Sequence, residues 1–305
     1  MSIVKYLKEK TELCIRPYIV GTYENIVKNK SKILSSYQNK KRIKDLLVSM
    51  TTYEPRILFF EYSVLSILAG SVLPEKIYIY VPKGFIDLLH TTGSILETAY
   101  KDGIAELVEM EEDVYCHSKY YYVFQAYGKE KDIVLCDDDV VYYRHWLAHL
   151  IDSAHKDSKH HVFAYKAVCI STNDEGFAPY DEWQHCSNRQ VPKDCLLYAE
   201  AVGGVFYRRG ILSREVLNKE KFLEIVPKAD DVWLFFCSYL NQAPIKYLPT
   251  KNNAKLLYTI PNSQETALWK ENTFAKRNDQ YMSVCHAYFK AAYGMDIMEE
   301  HHGNR

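Results

Sequence analysis

The chain has 305 residues, 48% of them apolar, and a formal net charge of -1. That composition suits a soluble globular protein of one large α/β domain or two smaller ones, and it gives no global basis for binding nucleic acid. The eight cysteines (Cys14, Cys116, Cys136, Cys169, Cys186, Cys195, Cys237 and Cys285) lack close-paired spacing, which argues against a zinc ribbon or a disulfide framework and reads as buried free thiols in a reducing compartment.

Lys5, Lys8, Glu9 and Lys10 fall where a signal peptide needs its apolar segment, and the apolar run from Val64 to Leu73 is too short to span a bilayer. The expected location is cytoplasmic, with any membrane contact peripheral and at the inner face. Residues 1–44 read as a basic helical extension: Lys28, Lys30, Lys32, Lys40, Lys41, Arg42 and Lys44 occur from Asn25 to Lys44 with no acid among them. Such a run is either a solvated helix face and linker or a patch that meets an anionic membrane surface.

From Asp45 strands and helices alternate. Leu46–Met50 predicts a buried strand, Thr51–Arg56 a polar loop, and Pro55 the start of a helix running to about Ala69. Lys76–Val81 predicts a second strand, a helix passes through Leu88, Leu89 and Ile95, and Glu106–Met110 predicts a third strand. A tyrosine-rich helix follows Ser118 and leads to a fourth strand, Ile133–Cys136. Trp146, Leu147, Leu150 and Ile151 mark a helix, His161–Val168 a strand, Ser171–Lys193 an irregular loop, and Ala201–Arg209 a strand with paired glycines. Ala229–Phe236 opens another helix, and Tyr281, Val284, Cys285, Tyr288, Phe289 and Ala292 share one face of a last one. This order predicts a mostly parallel central sheet flanked by helices, with ligands at the carboxyl ends of its strands.

The fourth strand ends in Asp137, Asp138 and Asp139. Crowded like charges call for a cation, and Mg2+ or Mn2+ takes oxygen ligands; the alternative is a solvated acidic turn. In an extended chain Asp137 and Asp139 would share one ion while Asp138 faces away. Ser49–Arg56 contains no glycine, so it is neither a P-loop nor a dinucleotide fingerprint, which argues against a kinase, an ATPase or a dehydrogenase. His160–His161 and His301–His302 lack further spaced ligands. His185, Cys186 and Cys195 do not make a thiol enzyme, and the tyrosines at 120–122, 142, 143 and 180 read mainly as core and rim.

The succession Leu47–Arg56, Pro74–Ile77, Asp137–Asp139, Gly203–Gly204 and Asp230–Leu234 resembles GT-A glycosyltransferases of the type that build bacterial surface polysaccharides. The resemblance covers about residues 45–250. It implies a nucleotide-sugar half (45–140) fused to an acceptor half (141–250), with 251–305 left as a C-terminal helical segment. It makes Asp137–Asp139 the DxD motif, with Asp139 on Mn2+ or Mg2+ and Asp137 on the ion's water or the ribose, and Asp138 beside the cofactor. It puts Thr51, Thr52 and Tyr53 at the nucleoside, Arg56 and Lys119 at phosphate or sugar, and Gly203 and Gly204 at the donor sugar. Asp230 and Asp231 become the acidic pair that supplies the base for inverting transfer from a UDP-sugar to a glycan or glycolipid, with Asp231 as base. On the residues alone, the glycines equally suit a strand packed tightly on a helix, Asp230–Asp231 an acidic first helical turn, and Lys119 a solvated helix lysine. A nucleotidyltransferase and a non-catalytic carbohydrate-binding protein are the competing functions.

Overall fold

The computed structural model describes residues 23–173, 176–187, 195–249, 257–266 and 277–299. The readings made on Met1–Lys10, Cys14, residues 188–193, His301 and His302 lie outside them. The first half runs α1 (Lys30–Ser36), β1 (Arg42–Thr51), α2 (Phe60–Leu68), β2 (Leu73–Val81), α3 (Phe85–Thr92), α4 (Glu97–Lys101), β3 (Ala105–Glu109), α5 (Ser118–Tyr127) and β4 (Asp132–Leu135). There follow β5 (Val140–Tyr142), α6 (Trp146–Lys156), β6 (Val162–Ala164), β7 (Ala167–Cys169), β8 (Thr172–Asn173), β9 (Gly176–Phe177), β10 (Gln184–His185), β11 (Leu197–Ala199) and β12 (Val205–Tyr207). The rest comprises α7 (Lys219–Ile225), α8 (Asp230–Leu240), β13 (Ile245–Tyr247), β14 (Leu257–Thr259) and α9 (Arg277–Tyr293).

Seven strands form the central sheet in the order β13-β6-β12-β4-β1-β2-β3, and only β12 runs against its neighbours. This is the mostly parallel α/β architecture that the alternation of elements predicts. Leu46 to Met50 are buried without a break because both faces of β1 are covered. Leu47, Ile133 and Leu135 enter one core with Tyr120, Trp233 and Phe289, while Leu46, Val48, Met50 and Val134 enter the other with Phe60, Leu89 and Trp146. Adjacent residues of one strand thus feed opposite layers.

Several boundaries differ from expectation. β1 begins at Arg42, inside the segment read as a helical extension, and bulges at Asp45, whose φ is +61° and whose carboxylate pairs with Lys131. The strand expected at His161–Val168 is two: β6 stays in the central sheet and β7 leaves for a three-stranded sheet with β10 and β11. Cys169 and Cys195 meet across that small sheet as a disulfide, with Cα atoms 5.8 Å apart, which corrects the reading of both as free thiols. The described parts of 251–305 contain a strand, β14, as well as the expected helix, α9. β14 pairs antiparallel with β5, and α9 packs on α8 with the Phe289 and Trp233 ring centroids 5.2 Å apart. Burying a side chain the size of Phe289 stabilises by roughly 2 kcal/mol. No described helix is long and apolar enough to cross a membrane.

The expected strand Ala201–Arg209 starts instead as a 3-10 turn, Ala201–Gly203, and only Val205–Tyr207 is extended. Gly204 turns the chain with a φ of +86°, and a Cβ there would lie 2.4 Å from Cζ2 of Trp146. Gly204→Ala should therefore destabilise by about 3 kcal/mol, from backbone strain and overpacking together. Urea denaturation measures this, and a variant as stable as the wild type would mean that Trp146 moves aside at no cost.

Candidate functional site

The acidic triplet lies at the carboxyl end of β4, beside the end of its parallel neighbour β1, with Ser49 in register with Leu135. β4 stops at Leu135, and Asp138 and Asp139 form a turn. The alternation expected of an extended chain does not apply there. Asp138 does not face away from Asp139: both carboxylates approach Nη1 of Arg56, Asp138 through Oδ1 and Asp139 through Oδ2 at 3.0 Å. Asp137 turns elsewhere, its Oδ1 2.8 Å from Nζ of Lys119. The Asp137 N–H donates to the Tyr142 hydroxyl at 2.8 Å, which ties the turn to β5.

Lys119 is 6% exposed and is no solvated helix lysine. Its Nζ also stands 3.0 Å from Oδ2 of Asp230, and its backbone oxygen accepts from the Ser49 hydroxyl at 2.6 Å. Lys119 thereby joins β4 to the first turn of α8. Next to it, partly buried Asp231 accepts from the Ala201 N–H at 3.2 Å through Oδ2. The glycine pair builds the turn that supplies this N–H. The close backbone approach that the glycines permit is to protein: Trp146 Nε1 donates to the Gly203 oxygen at 2.9 Å, and a Cβ on Gly203 would meet the Lys166 nitrogen.

The nucleoside residues divide. Thr51 donates its hydroxyl to the Tyr80 oxygen at 3.0 Å and is committed to β2. Thr52 is buried beside Asp138. Tyr53 is partly exposed, with its ring centroid 5.9 Å from the Arg56 guanidinium carbon. Arg56 and Lys119, expected to face phosphate, are occupied by carboxylates.

One participant is absent from the sequence reading. Gln264 Nε2 donates to Asp139 Oδ2 at 2.7 Å, and the Ile260 N–H donates to the Asp139 backbone oxygen at 2.8 Å. The pairing of β14 with β5 brings this segment in from 125 residues away, and no local motif announces it.

Among the described residues the charges do not balance. Asp137, Asp138, Asp139, Asp230 and Asp231 share two buried cations, Arg56 and Lys119. Burial opposes the charge of both cations, yet Asp138 and Asp139 hold Arg56 above its ordinary pKa, as Asp137 and Asp230 do Lys119. Burial raises Asp138 despite Arg56, and burial with Asp137 and Asp138 pushes Asp139 up to about 7. Asp231 is raised well above the carboxylate range by burial first and by Asp230 second, against the pull of Lys119. Nearby His117 is neutral, lowered to about 4 by burial, so its Nε2–H donates to the Val226 oxygen and Nδ1 accepts from Tyr120.

No protein-family model matches the chain, and no curated protein matches it. Among solved structures it is similar to the mannosyltransferase PcManGT from Pyrobaculum calidifontis in complex with GDP-Man and Mn2+, at 11% identity over 90% of this chain and 74% of that one, with a TM-score of 0.47. It is also similar to residues 1–349 of TarS from S. aureus, at 14% identity over 84% and 77% of the two chains, with a TM-score of 0.45. Both lie below the similarity from which a shared activity follows.

The raised acid fixes the sign of a pH effect. A carboxyl of pKa about 7 when folded and about 3.9 when unfolded binds its proton more tightly in the folded protein. Its stabilisation is complete below pH 3.9 and is lost as the pH rises to 7. Without divalent cations, wild type should lose more stability between pH 5 and pH 7.5 than Asp139→Asn, as followed by denaturant midpoints. Equal losses would show that Asp139 ionises as an ordinary carboxylate.

Proposed function

We propose that this chain is a metal-dependent glycosyltransferase of the GT-A type, which moves a sugar from a nucleoside-diphosphate sugar, specifically a UDP-sugar, to a hydroxyl of a glycan or glycolipid. The supporting observation is the excess of carboxylates over cations at the mouth of the sheet. An anionic diphosphate entering there meets net negative charge, because Arg56 and Lys119 are already engaged by acids. A hard divalent cation restores the balance.

The donor set fits such an ion in chemistry: its groups are carboxylate oxygens, and Oδ2 of Asp138 is buried without a hydrogen-bond partner. Among the described residues no three ligating side chains converge, since the acids turn to Arg56 and Lys119. Asp139 and Asp137 would hold Mn2+ or Mg2+, which when bound neutralises the departing diphosphate. Thr52 and Tyr53 border the nucleoside, with Thr51 fixing the strand end behind them. Gly203 and Gly204 act through the turn that holds Asp231.

Asp231 is the general base. The Ala201 N–H fixes its Oδ2, and its other oxygen takes the proton of the acceptor hydroxyl. As that O–H bond breaks, the acceptor oxygen bonds to the anomeric carbon and the diphosphate leaves from the opposite side with the electron pair, inverting the configuration. Burial and Asp230 raise the affinity of Asp231 for a proton, the direction that strengthens a carboxylate as a base. Exposed Lys28, Lys32, Lys41, Arg42 and Lys44 suit contact with an anionic membrane surface.

The test is donor hydrolysis across nucleotide sugars with Mg2+ and Mn2+, which reveals the donor without its acceptor. Asp139→Ala should abolish metal-dependent donor binding. Asp231→Asn should keep donor binding and lose at least about 100-fold in turnover. Full activity of Asp231→Asn would remove it as base, and hydrolysis unaffected by chelator would contradict the metal. Anionic vesicles should co-sediment the protein; protein left in solution would contradict the membrane contact.

A further inference from the structure

Arg56 stands where the proposed function needs its ion. Its side chain is 9% exposed, and the single atom Nη1 serves Oδ1 of Asp138 and Oδ2 of Asp139 together. This differs from the two-pronged fork in which arginine usually grips one carboxylate. Here the guanidinium acts as a point charge between two acids. Its Nε, buried with no hydrogen-bond partner, is an unused donor within the same site. Arg56 follows Pro55 in a one-turn 3-10 helix, Glu54–Arg56, directly after the residues assigned to the nucleoside.

We infer that Arg56 is the resident counter-ion of the metal position, and that a divalent cation and Arg56 bind Asp139 in exchange. The inference rests on the metal-dependent reading above. A cation arriving at Asp139 takes the oxygen that Nη1 holds, and the guanidinium, released from Asp139 while Asp138 keeps Nη1, offers its unpaired Nε to an oxygen of the nucleoside diphosphate. Cation and nucleotide then bind cooperatively, each making the other's partner available. Gln264 donates to the same Asp139 Oδ2, so the carboxylate stays placed when Arg56 releases it.

The experiment is calorimetric titration of the full chain with Mn2+ alone, then with uridine diphosphate at saturating Mn2+. Arg56→Gln should bind Mn2+ alone at least about tenfold more tightly than wild type, because its competitor is gone. It should bind uridine diphosphate at least about tenfold more weakly, because the phosphate donor is gone. Arg56→Lys keeps the charge but reaches one carboxylate at a time, so its Mn2+ affinity should lie between the two. It decides the matter if Arg56→Gln does not fold: affinity above wild type supports the exchange, and affinity at or below wild type overturns it. Equal or weaker Mn2+ binding by a folded Arg56→Gln overturns the exchange while leaving the metal reading intact, and unchanged nucleotide affinity overturns the handover. If neither folded protein binds Mn2+, the metal reading falls and the exchange with it.

Discussion

Negative charge crowded into a protein interior is the constraint on which this site turns. Five aspartates gather where β1, β4 and the start of α8 meet, and among the described residues Arg56 and Lys119 are the cations buried with them. Breaking one buried pair by removing a partner typically costs about 3–5 kcal/mol, so each cation contributes strongly to the folded state. Two cations still leave the set short, and Asp138, Asp139 and Asp231 respond by holding protons above the usual carboxylate range. A group of this kind stores affinity for positive charge, which a donor carrying a diphosphate through a divalent ion can use.

The fold supplies the crowding. Parallel β1 continues to Thr51, past the level at which β4 ends at Leu135, which puts Thr52 and Arg56 beside the aspartate turn. α5 runs behind β1 and delivers Lys119, while antiparallel β12, entered through Gly204, sets Ala201 against Asp231. β14 then caps the turn and brings Gln264. None of these segments holds a site alone.

The sheet was legible because strands buried on both faces leave continuous apolar runs, as at Leu46–Met50 and Ile133–Cys136. Asp137–Asp139, Lys119, Arg56 and Asp230–Asp231, which the sequence singled out, do come together in space. Their pairings were not legible, because alternation of side chains holds only in an extended chain and Asp138–Asp139 lies in a turn. The glycine pair pointed to a close approach without naming Trp146 as its partner. Gln264 and the Cys169–Cys195 disulfide depend on contacts between distant segments, which local patterns do not encode.

The proposed function requires a diphosphate to enter this site only together with a divalent cation. Calorimetric titration of the wild-type protein with uridine diphosphate, once with Mn2+ and once with chelator, tests it most directly. Binding is expected with Mn2+ and none with chelator. Equal affinity under both conditions would contradict it, because Arg56 and Lys119 would then suffice to neutralise the diphosphate.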